Sequence, residues 1–489
     1  MSKPIHSISY SVAQPLERGF NNYYSIIQGE EVKTKDMTRG PAVSLILGFA
    51  IPLLIGNLFQ QVYSMVDTLI AGYRYGDTAI AAIGSTSSLS SLILSFASGL
   101  NSGYGILISR AFGAGRQRLV KRTIAGAVLL NVAISLLLTA GALAFLRPIL
   151  GWLHTPSAIF DQAYRYIAVI LAGLLVTNLY NMLAAILRAL GDSRTPLLCL
   201  AAACLLNVGL DLWFLMGLDM GVAGAALATV ISQGCSVLLC CLWIGRRGRE
   251  LLPAWRDFRP EKQLLAEMLR TGSAMALMLS VFSIGSVILQ SAINGLGQTV
   301  ITAHTAARRI IEMLMQPLST LATATATFVS QNWGAGQRER IRSALKKVLG
   351  LEVGWALLAW AAVGAVGEEA IRWLTGTGDG QVIRYGAMSL QYSFAFYPAL
   401  GVLLCLRTAM QSMGLSAAPV LSSGIELSGK ILGALWIIPR YGYRGASLVE
   451  PLTWLLCAAF LCAVFLNRQR ALLAGQLCPA EGRCPTENG

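Results

Sequence analysis

Charged side chains make up only 13% of this 489-residue sequence, while hydrophobic ones make up 55%. A water-borne globule of that size needs far more polar surface, so the shortage of charge excludes a soluble protein. Histidine is scarcer still. The three present, His6, His154 and His304, are too scattered to form a metal site. The sequence has no phosphate-cradling Walker loop and no His-Glu-x-x-His pair, and nothing in it resembles an enzyme. The first forty residues lack an apolar stretch followed by a small-residue cleavage site, so they do not read as a signal peptide. Eight of the ten cysteines (Cys199, Cys204, Cys235, Cys240, Cys241, Cys405, Cys457 and Cys462) lie in apolar segments, where free cysteine behaves as a small hydrophobe. Cys478 and Cys484 sit in the C-terminal tail at a spacing that matches no zinc or redox motif. No cofactor is expected.

What the sequence has in abundance is long apolar runs. Segments of about 20 apolar residues, the length needed to cross the hydrocarbon core, recur from Ala42 to Leu466. Lipid supplies no water to bond backbone groups, and runs this long and continuous are helices. Divided at charged and Gly/Pro-bearing joints, the chain gives twelve expected spans: 43–72, 80–110, 123–146, 163–188, 196–217, 221–244, 268–295, 300–330, 345–366, 384–407, 418–438 and 445–466. The fold class expected is an all-α integral membrane protein of twelve transmembrane helices in two six-helix lobes. The net charge of +14 does not point to nucleic acid, because the basic residues concentrate in alternate short joints. Those joints carry Arg110 to Arg122, Arg188 and Arg194, Arg246 to Arg270, Arg338 to Lys347, and Arg407, whereas the opposite joints carry few. By the positive-inside rule both termini are cytoplasmic and the protein belongs in the cell's inner membrane. The expected organisation is a tail over 1–41, a lobe over 42–247, a basic linker over 248–262, a second lobe over 263–467 and a tail over 468–489. Trp255 and Phe258 in the linker suit a segment lying on the lipid surface.

The two halves repeat one plan. Gly113-Ala114-Gly115 returns as Gly334-Ala335-Gly336, an offset of 221 (334 − 113). Gly76 returns as Gly297 and Gly221 as Gly442 at the same offset, and Gly191 with Pro196 returns as Gly414 with Pro419 at 223 (414 − 191). Each half holds an even number of spans, so the two run in the same direction, related by an axis along the membrane normal. A binding site is expected between them.

Several motifs in order carry a family likeness. They are Ile51-Pro52 through Asn57, Gln60-Gln61, Tyr63 and Asp67-Thr68 to Gly72; Phe112-Gly113-Ala114-Gly115; Leu187-Arg188 with Gly191-Asp192, Arg194 and Pro196; Gly221 with Gly224 and Thr229; and Val329-Ser330-Gln331-Asn332-Trp333-Gly334-Ala335-Gly336. The set covers Pro41 to Leu466 and resembles the multidrug and toxic compound extrusion (MATE) family, particularly its bacterial DinF-like branch. The resemblance implies two six-helix lobes forming a V around a central cavity, with alternating access driven by sodium or protons. It also implies an ion site in the first lobe at Asp67, Asn207, Asp211 and Thr229, and an ion-linked bend of the first helix at Pro52.

The residues themselves are consistent with that reading. An ionised side chain at mid-bilayer costs roughly 2.5 to 3.5 kcal/mol on insertion scales, so each needs a partner or a function. The membrane carboxylates are Asp67, Asp211, Glu312, Glu426 and Glu450. Asn57, Gln60, Ser64 and Asp67 recur every three or four residues and share a helix face, as do Asn207 with Asp211. Carboxylate, amide and hydroxyl oxygens are hard ligands for a hard cation, and two acids in one poorly hydrated pocket also suit a proton; sodium and proton coupling both stay open. In the second half Glu312 can pair with Arg308, and Glu426 with Lys430, within their own helices. Under the repeat Asp67 corresponds to Ile288, Asn207 to Lys430 and Thr229 to Glu450, so the ion set is not duplicated. Asn57, Gln60, Ser64, Glu312, Gln316, Glu426, Lys430 and Glu450 are the candidates for lining the cavity, the second-half group being either substrate-facing or structural.

The expected function is a cation-coupled (H+ or Na+) antiporter exporting small organic compounds, cationic or amphipathic, from a monomer in the bilayer. Two rival readings stand beside it. A flippase for lipid-linked saccharides would carry an Arg- or Lys-rich cavity, whereas only Arg308, Arg309 and Lys430 are basic away from the ends of the expected spans. A non-transporting receptor or scaffold would have no need of the polar stripes or the repeated half.

Overall fold

With no water in the hydrocarbon to replace them, backbone hydrogen bonds must close within each segment, and among the described residues every regular element is a helix. The computed structural model describes residues 36–473 apart from His154 and Pro260, with only the backbone described at 468–473. His6, Cys478, Cys484, and residues 1–35 and 474–489 of the tails predicted over 1–41 and 468–489 lie outside the described residues.

The first half contains α1 (Ala42–Tyr75), α2 (Asp77–Gly113), α3 (Gln117–Ala144), a short α4 (Leu146–Trp152), α5 (Ser157–Ala172), α6 (Leu174–Ala189), α7 (Arg194–Asp211) and α8 (Val222–Arg247). Two short 3-10 turns, Arg249–Leu251 and Trp255–Phe258, follow in the linker. The second half contains α9 (Lys262–Asn294), α10 (Gln298–Gly334), α11 (Arg338–Thr375), α12 (Gly380–Ala395), α13 (Tyr397–Ser412), α14 (Ala417–Leu432) and α15 (Ile438–Leu473).

Among the described residues eight helical stretches are long and apolar enough to cross a membrane, and two bent pairs, α5 with α6 and α12 with α13, bring the number to ten. The 51-residue stretch Ala417–Asn467 is far longer than one crossing needs. Gly442, at φ 57° and ψ −141°, breaks it into two. The twelfth span is α10, 37 residues long and studded with His304, Arg308, Glu312 and Gln316, which make it too polar to qualify on apolarity.

The repeat is visible in the backbone. Glycines with positive φ pair off as Gly76 with Gly297, Gly115 with Gly336, Gly191 with Gly414 and Gly221 with Gly442, so each half turns at the same steps. The bends correspond as well: 47° between α5 and α6 at Gly173, and 50° between α12 and α13 at Phe396, where Pro398 follows. A wide π-helical turn follows α7 at Leu212–Gly217 and α14 at Gly433–Ile437.

The halves meet along α2 and α9. A Cβ on Gly99 would lie 2.4 Å from the Ala276 Cα, and one on Gly103 2.5 Å from the Gly272 Cα. Only glycine lets the two backbones come this close, the device by which membrane helices gain packing without a hydrophobic driving force. Further along α2, Ser283 of α9 bonds Ser95 at 3.4 Å, and Gly113 abuts the Gln331 backbone of α10. All these contacts fall on residues 95–113 of α2, in the half leading to the loops that carry Arg116, Arg118, Arg338 and Arg340, hereafter the basic end. Toward the opposite end α2 packs within its own half, where Ala82 meets Ile159 and Ala163.

Two sequence expectations need correction. Arg407, assigned to a loop, lies inside α13 and is buried, because the helix runs on to Ser412 before the turn at Gly414. It therefore joins Arg308, Arg309 and Lys430 as a basic residue within the spans. Arg270 likewise sits within α9, which starts at Lys262 rather than near residue 268.

Candidate ion site and central cavity

Asp67 on α1, Asn207 and Asp211 on α7 and Thr229 on α8 converge inside the first half. The four-residue spacing of Asn207 and Asp211 puts both on one face of α7, where both are fully buried. With its amide oriented by the groups around it, Asn207 donates Nδ2 to Asp67 Oδ1 at 2.6 Å and accepts from the Thr229 backbone N–H at 3.3 Å. The Thr229 hydroxyl, which donates to the Ala225 carbonyl at 3.0 Å, lies 3.5 Å from Asp67 Oδ2. The carboxyl groups of Asp67 and Asp211 are within hydrogen-bonding reach of each other. Asp211 Oδ1 is buried and accepts no hydrogen bond among the described residues.

Immediately after Asp211 the helix widens into the π turn, a geometry that recurs at functional positions because it frees backbone groups from the regular ladder. Two tyrosines not singled out from sequence complete the walls. Tyr63, four residues before Asp67, lies beside Thr229 and Asp67, and Tyr166 of α5 sits within electrostatic reach of both acids. Tyr63 was legible as an i,i+4 neighbour of Asp67; Tyr166, on another helix, carried no such signal. Two carboxylates, an amide, a hydroxyl and an unpartnered buried oxygen fit a monovalent cation or a proton. Among the described residues no group of three or more His, Cys, Asp or Glu side chains is placed to hold a metal ion.

The polar stripe of α1 divides. Asn57 faces the other half, 3.4 Å from Thr320 of α10, while Asp67 points into its own. Gln60 and Ser64 are exposed. Pro52 lies within α1, which continues through it as one helix.

The second half holds a chain of six alternating charges. Glu312 bonds Arg308 at 2.9 Å, Arg308 reaches Glu450 at 3.4 Å, Glu450 pairs with Lys430 at 3.2 Å, Lys430 with Glu426 at 3.3 Å, and Glu426 with Arg407 at 3.0 Å. Four helices, α10, α15, α14 and α13, contribute. Three positive and three negative groups thus satisfy one another in a setting where an unpaired charge would be prohibitive. Lys430 also sits 4.4 Å from the centre of the Phe282 ring.

A cavity of about 420 Å³ lies against this chain. Arg308, Glu312, Glu426, Glu450 and Arg407 form its polar wall, Met278, Phe282, Met315 and Trp454 its apolar one, and Ser98 and Ser102 of α2 reach in from the first half. Of the eight cavity candidates named from sequence, Glu312, Glu426 and Glu450 line it. Lys430 does not, being sealed behind its two partners, and Asn57, Gln60, Ser64 and Gln316 lie outside this lining.

Two repeated six-span halves, a lining of polar groups between helices and a cavity beside their junction define a polytopic membrane transporter. The family model MatE matches residues 52–213 and again 274–435, together most of the chain, and the protein belongs to that family. Among curated relatives, the probable multidrug resistance protein YpnP of Bacillus subtilis is 26% identical over 442 residues, covering 88% of this chain and 96% of that one. An FAD transporter of Shewanella oneidensis is 24% identical over 424 residues, covering 85% and 92%. Among solved structures, a MATE crystallised in the bent conformation superposes with a TM-score of 0.85 at 22% identity, covering 91% of this chain and all of that one.

Proposed function

We propose that this protein is a cation-coupled antiporter that exports small amphipathic organic cations across the plasma membrane, with both termini on the cytoplasmic side. The supporting observation is the pair of facing carboxyls, Asp67 and Asp211, inside a pocket of one lobe, with one buried oxygen unpartnered. A proton or sodium ion entering between them removes a repulsion that otherwise favours any arrangement holding the acids apart. Ion occupancy therefore biases the packing of α1 against α7 and α8, and through α1 the relation of the two lobes. Pro52, which leaves one backbone acceptor of α1 without its regular donor, is where α1 bends as it responds. Relatives named as multidrug resistance and multidrug export proteins support the export of small organic compounds.

The substrate reading rests on the cavity wall. Glu312 is 40% exposed, more open than any other member of the charge chain, and apolar side chains face it. A ligand that offers a cation to Glu312 and a flat apolar surface to Phe282, Met315 and Trp454 matches both. No ATP site is needed, since one proton moving down about 100 mV and one pH unit releases roughly 2.3 plus 1.4 kcal/mol; exchanged one for one against a monovalent cation the electrical part cancels and about a tenfold gradient is sustained, and two protons per cation raise it to several thousandfold.

Vesicles containing the purified protein, loaded with a fluorescent cationic dye, test the reading. Efflux should follow an imposed sodium or pH gradient but not both equally, and Asp67→Asn or Asp211→Asn should abolish it with insertion intact. Full efflux from the double variant would falsify the site.

A further inference from the structure

We infer that Arg110 and Gln331 form a crossed pair of inter-lobe hydrogen bonds that holds the basic end shut, and that the segment before α1 is locked into the same joint. Arg110, near the end of α2, donates Nη2 to the Gln411 carbonyl at 2.8 Å and Nε to the Ser412 carbonyl at 2.9 Å, both at the end of α13 in the other half. Gln331, near the end of α10, donates Nε2 to the Ala189 carbonyl at 3.0 Å, the last residue of α6. The repeat relates the two arrangements: Gln331 stands 221 residues beyond Arg110 (331 − 110), and Ser412 stands 223 beyond Ala189 (412 − 189). Each lobe therefore caps a helix terminus of its partner.

Helix ends expose carbonyls that the helix itself does not satisfy, and a cation or amide donor is favoured there. At α13 and α6 the opposite lobe adds a donor to those already present within each lobe, Ser109 Oγ on the Ala189 carbonyl and the Gly414 N–H on that of Gln411, each at 2.9 Å, so separating the lobes removes the donors that tie one lobe to the other and leaves the Ser412 carbonyl to water. Opening of the basic end exchanges these inter-lobe donors for water, which makes the crossed pair a two-state element.

Two glycines let the joint close. A Cβ on Gly113 would sit 2.0 Å from the Gln331 carbonyl oxygen, and one on Gly334 2.0 Å from that of Arg110. The repeated Gly-Ala-Gly is thereby accounted for: its first glycine is the crossing point of α2 and α10. Met37 fastens the third component. Fully buried, it donates its N–H to Gln331 Oε1 at 2.9 Å and accepts at its carbonyl from Asn332 Nδ2 and Arg340 Nη2, each at 3.1 Å. Gln331 thus holds the segment leading into α1 with its oxygen and the first lobe with its nitrogen. A displacement of α1, which carries Asp67, is transmitted to the joint through the four residues Thr38 to Pro41.

Hydrogen–deuterium exchange of the full-length protein in lipid nanodiscs tests the inference with no substrate or ion gradient, so it can fail or succeed independently of the transport reading. In Gln331→Leu, Arg110→Met and Gly113→Ala, exchange should rise at least fivefold in residues 105–116 and 326–338. It should fall at the opposite end, in residues 77–95 of α2 and 298–308 of α10. The reciprocal protection separates a released joint from general loosening. Unchanged exchange at the basic end in all three variants, or a rise spread evenly over both ends and α7, would overturn it.

Discussion

Asn207 and Lys430 stand at the same step of the two halves, 223 residues apart (430 − 207), and meet their surroundings in opposite ways. Asn207 donates to a carboxylate while leaving its neighbour Asp211 with an unpartnered oxygen. Lys430 places its ammonium between Glu426 and Glu450. A built-in cation occupies in one lobe the kind of place that a mobile cation can take in the other. The repeat has been kept in the backbone, down to the π turns after Asp211 and Leu432, while the chemistry on it has diverged.

Removing that ammonium should be costly. Lys430→Met leaves Glu426 and Glu450 facing each other without their shared counter-ion, and breaking one member of a buried charge network typically costs about 3 to 5 kcal/mol. Thermal unfolding of the purified protein in detergent should show a large drop in Tm. The triple variant Lys430→Met, Glu426→Gln, Glu450→Gln should recover much of it, and a single variant as stable as wild type would mean that the chain of charges is not stabilising.

Thr229 should matter less than the acids it serves. Its hydroxyl lies 3.5 Å from Asp67 and is shared with the Ala225 carbonyl, so it tunes the site rather than supplying its charge. Thr229→Val should weaken the coupling cation by roughly tenfold, the loss of about one hydrogen bond to a charged group. Efflux measured against the concentration of the driving ion should shift in midpoint and keep its maximum. A variant with no activity at any ion concentration would place Thr229 among the indispensable ligands.

How much of this was readable in the sequence depends on the distance over which a pattern acts. Helical periodicity joins residues three and four apart, so Asn207 with Asp211, Arg308 with Glu312, and Glu426 with Lys430 were all legible. The ties from Arg308 to Glu450, Lys430 to Glu450 and Arg407 to Glu426 cross between helices, and no spacing rule reaches them. Arg407 was misplaced for a further reason: a lone arginine close to a Gly-bearing joint reads as a loop residue, and only the burial of α13 to its last turn shows otherwise. The span count was recoverable because the chain was divided at its charged and Gly/Pro-bearing joints, which delimit α10 where a test of apolarity misses it.

Pro52 offers a test of whether α1 acts as a single rod. The ring removes one backbone donor, yet the helix runs unbroken from Ala42 to Tyr75, so the flaw is accommodated without a break. Pro52→Ala should straighten and stiffen α1 while leaving the Asp67 pocket intact. Expected are ion binding within about twofold of wild type, by calorimetry, and efflux slowed at least tenfold, about 1.4 kcal/mol on the barrier. Unaltered efflux would show that α1 moves as a rigid body.

Glu312 separates recognition from architecture. Among the described residues its ion-pair partner is Arg308, at the open end of the charge chain, so neutralising it leaves the buried pairs between Glu450, Lys430, Glu426 and Arg407 in place. Glu312→Gln keeps the size and one acceptor for Arg308 while deleting the charge. A cationic dye should then bind roughly ten- to a hundredfold more weakly, the loss expected when a partly exposed charge contact worth about 1.5 to 3 kcal/mol is removed. A neutral analogue of the same shape should bind as before, because its contacts are with Phe282, Met315 and Trp454. Equal losses for the two ligands would mean that Glu312 shapes the cavity through Arg308, and the carboxylate would then be part of the wall rather than of the recognition.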